Sequence, residues 1–182
     1  MVAVRLEPMT EEQYVEYRAA AEVDYSRNIA ASGAMVEADA RERAAEDFAR
    51  LLPDGLRSEG HLFFSAYDVA APPEHAGDAV AAVAAVAAVD AVGMLWLHLE
   101  ETSDGWHAFG YGFEVREDVR RQGYGRAVME AAEQECRDRG VVAVRLNVFG
   151  FNRGAQALYE QMGFEVTSVV MTKRLDGTPK GR

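Results

Sequence analysis

Apolar positions along this chain change their period several times, and each change marks an element. Val2 to Leu6 alternates enough to predict a short strand. Thr10-Glu11-Glu12-Gln13 has the form of a capping box, in which hydroxyl and amide each satisfy a backbone N–H orphaned at a helix start. Behind it Tyr14, Tyr17, Ala21, Tyr25 and Ile29 recur every three or four residues, as in an amphipathic helix, and Gly33 ends that helix. A second helix is predicted from about Met35 to Leu52, with Val36, Ala40, Ala44, Phe48, Leu51 and Leu52 inward. His61 to Val69 and Val92 to Leu99 read as strands. Thr102-Ser103-Asp104-Gly105 turns the chain, and Trp106 to Val115 returns as the second arm of a hairpin. Gly123 to Arg139 is helical up to Gly140. Val141 to Val148 is a strand with Val142, Val144, Leu146 and Val148 on one face. Asn152 to Met162 is a short helix, and Gly163 releases the chain into a last strand, Phe164 to Lys173.

The order β-α-α-β-β-β-α-β-α-β predicts a mixed α/β (α+β) domain, an antiparallel meander followed by a β-α-β unit. Residues 1–175 read as one domain. Within it, 71–91 is a low-complexity Ala/Val insertion whose valines repeat every three residues, matching neither a strand nor a clean helix; 176–182 is expected to be a disordered tail.

Charge and composition narrow the function. The net charge is −11, from 19 basic and 30 acidic residues, a field that repels phosphate backbones and argues against nucleic acid as partner. It suits a cationic acceptor, and equally a need for solubility. Cys136 is the lone cysteine, so no internal disulfide or thiolate-rich zinc site can form, and the four histidines lack metal-ligand spacing; no metal is expected. The longest apolar run, Ala79 to Val89, is far shorter than the roughly 20 residues of a membrane span. Met1 to Pro8 shows no apolar core behind a basic start, so a cytoplasmic protein is expected.

The stretch that carries chemistry is Val115-Arg116-Glu117-Asp118-Val119-Arg120-Arg121-Gln122-Gly123-Tyr124-Gly125-Arg126. It follows a strand and opens a helix, where unpaired N–H groups and the helix dipole favour anions. Two glycines let the backbone approach a ligand, and Arg116, Arg120, Arg121 and Arg126 are a basic exception to the acidic whole. The pattern is a pyrophosphate cradle. A dinucleotide fingerprint would need a third glycine where Val128 stands, and a Walker loop would need Gly-Lys-Ser/Thr.

This segment resembles the acetyl-CoA-binding motif of the GCN5-related N-acetyltransferase (GNAT) family, Q/R-x-x-G-x-G/A, with Arg120, Gly123 and Gly125 in register. A second signature is similar to the family's N-x-x-A-x-x-L-Y followed by G-F, on Asn152, Ala155, Leu158, Tyr159, Gly163 and Phe164. The resemblance covers about Trp106 to Lys173. It implies a GNAT-like fold, a mixed central sheet whose second half, β-α-β-α-β, binds the cofactor. It implies acetyl-CoA as acyl donor, with pantetheine along the strand ending at Phe113 to Val115. Arg120, Arg121, Gln122, Gly123, Tyr124, Gly125 and Arg126 would hold the pyrophosphate, and Asn152 would contact the cofactor as well as cap its helix. The family's frequent glycine after the arginine is Arg121 here.

The resemblance also implies direct attack of a primary amine on the acetyl thioester in a ternary complex. A phenol near pKa 10 stays protonated at neutral pH, so Tyr159, matching the family's tyrosine, is the expected proton donor to the departing thiolate. From its neighbours Ala155, Leu158 and Met162 alone, Tyr159 reads as a core residue. Where relatives place a glutamate or histidine base, this chain has Phe109 and Tyr111. Tyr111, His107, Glu114, Glu100, Glu101 and a water relay are open alternatives. The Tyr14, Tyr17 and Tyr25 stripe reads as core or as acceptor-pocket lining, and Cys136 as a buried apolar residue. The acceptor would be a small-molecule or protein amine, and a homodimer is the family's frequent habit. A non-catalytic acyl-CoA-binding sensor or interaction module is the competing function.

Overall fold

The structure is a computed structural model that describes residues 2–70, 91–173 and 175. The predicted Ala/Val insertion (all but Ala91) and the tail from residue 176 lie outside the described residues. In chain order the elements are β1 (Val4–Pro8), α1 (Glu11–Ser32), α2 (Glu37–Leu51), β2 (His61–Asp68), β3 (Gly93–Thr102), β4 (Gly105–Val115), α3 (Tyr124–Asp138), β5 (Val141–Leu146) and α4 (Arg153–Gln161). They divide between two compact units, Met1–Tyr14 with Leu56–Asn147, and Val15–Gly55 with Val148–Arg182.

The first unit holds a five-stranded sheet in the order β1-β2-β3-β4-β5. The first four strands are antiparallel and β5 runs parallel to β4, as the meander followed by β-α-β predicts. The helix of that β-α-β unit, α3, covers one face. Its Ala132 and Cys136 pack against Phe64, Leu95, Leu97 and Ala108, with Leu62, Leu99, Val141 and Val144 around them. Burying each large apolar side chain there contributes on the order of 2 kcal/mol. Val142 was expected to share one face with Val144 but is exposed, because the β4–β5 register passes from Trp106↔Val141 to His107↔Ala143 and leaves Val142 as the extra residue of a bulge, while Val141 and Val144 meet the core. The capping box forms at the start of α1: the Gln13 N–H donates to Thr10 Oγ1 (3.2 Å) and the Thr10 N–H donates to Gln13 Oε1 (3.0 Å).

In the second unit α2 buries Ala40, Ala44, Asp47 and Phe48, the period that its sequence shows. Val36, expected inward, is exposed because it is the residue before the helix begins. Asp47 accepts hydrogen bonds from Arg43 (2.8 Å), Arg50 (2.8 Å) and Tyr25 (3.3 Å). Burial pushes its carboxyl up, but the Arg50 and Arg43 bonds outweigh that and hold it below the usual carboxylate range. The last strand predicted at Phe164 to Lys173 does not form: the segment carries no strand pairing, and Val170 and Met171 are 93% and 90% exposed. Valine-rich alternation makes a strand only where a partner edge supplies hydrogen bonds, which local pattern cannot specify.

Candidate active site

The sheet opens between β4 and β5. Their parallel pairing runs from Trp106↔Val141 to Gly110↔Leu146 and stops, whereas β4 stays paired with β3 as far as Val115↔Gly93. Residues 111–115 of β4 therefore form a fork whose β5 side carries no ladder among the described residues. Successive strand residues turn their N–H and C=O groups to opposite sides. The Arg116 N–H donates to Val92 O (2.9 Å), on the β3 side, which leaves the Phe113 and Val115 groups facing the fork. The Arg120 Nε–H bond to Val115 O (2.8 Å) agrees with that orientation.

A bulge sits at the root of the fork. The β3–β4 register passes from Trp96↔Gly112 to Leu97↔Gly110, so Tyr111 is an extra residue with no opposite number. Bulges re-aim a side chain and are frequent beside active sites. The Tyr111 ring lies on the face away from α3, stacked on Trp96 at 4.8 Å and 4.7 Å from Phe109.

The predicted cradle follows β4. Arg121 takes a left-handed backbone (φ 65°) and Gly123 another (φ 97°), which turns the chain into α3. The first helical bond runs from the Ala127 N–H to Gly123 O (3.2 Å), so Tyr124 and Gly125 have no intrahelical carbonyl for their N–H groups. Beside them is an open depression of ≈ 170 Å³ lined by Val2, Gln122, Gly123, Arg126, Ala127 and Glu130. Arg120 turns back over β4, with Nη2 3.5 Å from Glu114 Oε1. Arg116 is held by two bonds to Asp118 (2.6 and 3.1 Å), and Gln122 Nε2 donates to Asp118 O (3.2 Å).

One contact here is not legible in either motif. The Tyr124 hydroxyl donates to Asp68 Oδ2 at 2.5 Å and ties the start of α3 to the end of β2. That bond, with one from the Ala70 N–H, lowers the Asp68 pKa, and it raises that of the Tyr124 phenol. Asp68 and Tyr124 are 56 residues apart, and no local signal joins them.

The structure separates the base alternatives. Glu114 faces Arg120. Glu100 and Glu101 pair with His107 and Trp106, at the hairpin end remote from the fork. His107 is buried, 3.1 Å from Asp104 Oδ1 without hydrogen-bond alignment. Of these, Tyr111 and Glu114 stand at the fork, and Glu114 is engaged by Arg120. Tyr159 and Asn152 belong to the second unit. Burial raises the Tyr159 phenol above its ordinary pKa, keeping it protonated, and its ring lies 5.5 Å from Phe164. Asn152 Oδ1 accepts from the Ala155 N–H (3.1 Å), the capping role read from the sequence. Burial raises the Cys136 thiol to about 11, which leaves it without nucleophilic character. Among the described residues no helix is long and apolar enough to cross a membrane, and no three potential ligands gather as a metal site.

A parallel strand splayed from an antiparallel meander, with a glycine- and arginine-bearing helix start beside the fork, is the architecture of the GNAT class. Residues 37–164 match the Acetyltransferase (GNAT) family, and the chain belongs to it. The uncharacterized N-acetyltransferase YycN of Bacillus subtilis is 30% identical over 174 residues, 96% of this chain and 100% of that protein. The crystal structure of YycN superposes with a TM-score of 0.81 over 95% of this chain and 99% of that one, at 32% identity. AAC(6')-Iy, solved with the bisubstrate analog CoA-S-monomethyl-acetylneamine, shares the fold (TM-score 0.55, 15% identity, 94% of this chain and 97% of that one).

Proposed function

We propose that this protein transfers an acetyl group from acetyl-CoA to the primary amine of a small-molecule or protein acceptor in the cytoplasm, by direct attack in a ternary complex. The observation that carries the proposal is the fork: β4 offers backbone groups at Phe113 and Val115 beside a helix start suited to a pyrophosphate. Pantetheine would pair along that edge while the Tyr124 and Gly125 N–H groups, Arg121 and Arg126 meet the phosphates. A backbone N–H at the fork would polarise the thioester carbonyl as negative charge develops on it. Tyr159 would protonate the leaving thiolate, a role its raised pKa supports. The CoA-containing analog bound to AAC(6')-Iy supports the same donor on the shared fold.

Calorimetric titration with acetyl-CoA tests the reading. Saturable binding by the wild type, weakened about tenfold or more in Arg120→Ala/Gly123→Ala, is expected for loss of the turn and a charged contact. No binding at millimolar acetyl-CoA would overturn it. Phe109 and Tyr111, standing where relatives keep a base, favour a second reading as a non-catalytic acyl-CoA sensor. Saturable binding without turnover of any primary amine is the result that selects it.

A further inference from the structure

The sheet face opposite α3 carries a cluster that neither motif contains. Leu95 and Leu97 turn toward α3, so Trp96 and His98 of β3 turn away from it. Strand pairing sets His61, His98 and Phe109 in one row across β2, β3 and β4. The neighbouring row holds Phe63 and Trp96, and the bulge adds Tyr111. The His61 and His98 rings lie 4.4 Å apart, and the Tyr111 ring stands edge-on to His98 at 6.3 Å. The row continues to Arg145 of β5, which pairs with Phe109; the next pair, Gly110↔Leu146, is the last before β4 and β5 part.

The two imidazoles are not equivalent. His61 Nδ1 accepts from Trp96 Nε1–H at 2.8 Å, which fixes its neutral tautomer. Burial, helped by the charge His98 can carry, lowers His61 to about 4. The His98 side chain makes ring contacts but no hydrogen bond among the described residues, and the residue is only partly buried. Gly60 leaves room for it: a Cβ there would stand 2.9 Å from His98 Nε2. The titratable and charged groups around His98 are His61 on β2, Tyr111 on β4, Arg145 of β5 at the far end of the row beyond Phe109, and in the next row Glu100 and His107, about 7 Å further from the fork.

We propose that His98 is the proton acceptor for the incoming amine, standing one strand over from the position that Phe109 and Tyr111 fill. This rests on the acetyltransferase reading above. The acceptor ammonium gives one proton to the His98 imidazole, which passes it to solvent. The neutral nitrogen forms the new C–N bond at the thioester carbonyl. The C–S bond then breaks, sulfur leaves with its electron pair, and the thiolate gains one proton as the nitrogen loses its second. The cluster of Trp96, Tyr111 and Phe109 rings suits a cationic head by cation–π contact before that first transfer.

The test follows thiol release from acetyl-CoA with a panel of primary amines, across pH, for wild type, His98→Gln and His98→Ala. Expected is a fall in kcat/KM of about 100-fold or more at pH 7 with unchanged acetyl-CoA affinity. The defect should shrink at alkaline pH, where the amine is already neutral, and added imidazole should restore part of the His98→Ala rate. Wild-type rates in both variants would overturn the assignment alone. So would a loss of rate that neither alkaline pH nor imidazole relieves, which would make His98 a packing residue. A wild type that binds no acetyl-CoA, or binds it and acetylates no amine, overturns the acetyltransferase reading and this assignment with it.

Discussion

At His61 the surroundings of one ring set a pH window for stability. The unfolded imidazole titrates near 6.5 and the folded one near 4, because burial and His98 disfavour its charge. On acidification the unfolded chain therefore takes up the proton first. The stability held by neutral His61 is complete above about pH 6.5 and is lost as the pH falls from there toward 4. Allowing for the ring's partial exposure, the loss is on the order of 1–2 kcal/mol. Urea unfolding at pH 7.5 and pH 4.5 should show that difference in wild type and a smaller one in His61→Gln; an equal loss of stability between the two pH values in both proteins would refute the account. Tyr159 poses a question of chemistry instead. Tyr159→Phe keeps the ring and removes the proton, so kcat should fall about tenfold or more with acetyl-CoA affinity intact. Unchanged turnover in steady-state kinetics would remove Tyr159 from the reaction.

Strand pairing decides what the sheet presents. The β3–β4 pair begins at Gly93, where an added Cβ would stand 2.4 Å from the Glu114 carbonyl oxygen, backbone that cannot swing aside. Gly93→Ala should push the strands apart at the fork and cost about 1–3 kcal/mol, measured by chemical denaturation. A loss below about 0.5 kcal/mol would mean that the strand shifts freely. At α4 the Asn152 cap is worth about 1 kcal/mol, and Asn152→Ala should show that loss whether or not Asn152 also meets cofactor. Bulge, fork and helix start are all features of pairing. A one-residue slip between β3 and β4 would turn Tyr111 and His98 to opposite faces.

Over the whole molecule the charge is −11. Ion pairs such as Arg41–Glu37 and Arg27–Asp24 are exposed and contribute little individually. Net self-repulsion then outweighs them, and raising salt from about 0.02 M to about 0.3 M should raise Tm by roughly a few degrees. A fall in Tm by differential scanning fluorimetry would show that the local pairs dominate. The same acidity makes the arginines of residues 116–126 a local exception, so salt should weaken acetyl-CoA binding while it stabilises the fold.

The element order, the capping box at Thr10–Gln13, the helix start at Gly123 and the two family signatures were legible in the sequence, because each depends on residues within a few positions of one another. Periodicity likewise found the buried face of α2 through Ala40, Ala44 and Phe48. It overreached at Val36 and Val142, and in making a strand of 164–173, since burial and pairing belong to partners that local pattern does not name. The His61–His98–Phe109 row was hidden for a related reason. Each residue alternates correctly within its own strand, but only the register of three strands sets them side by side. Tertiary structure alone decided the fork, the bulge at Tyr111 and the Tyr124–Asp68 bond, because all three are made of hydrogen bonds between residues far apart in the chain.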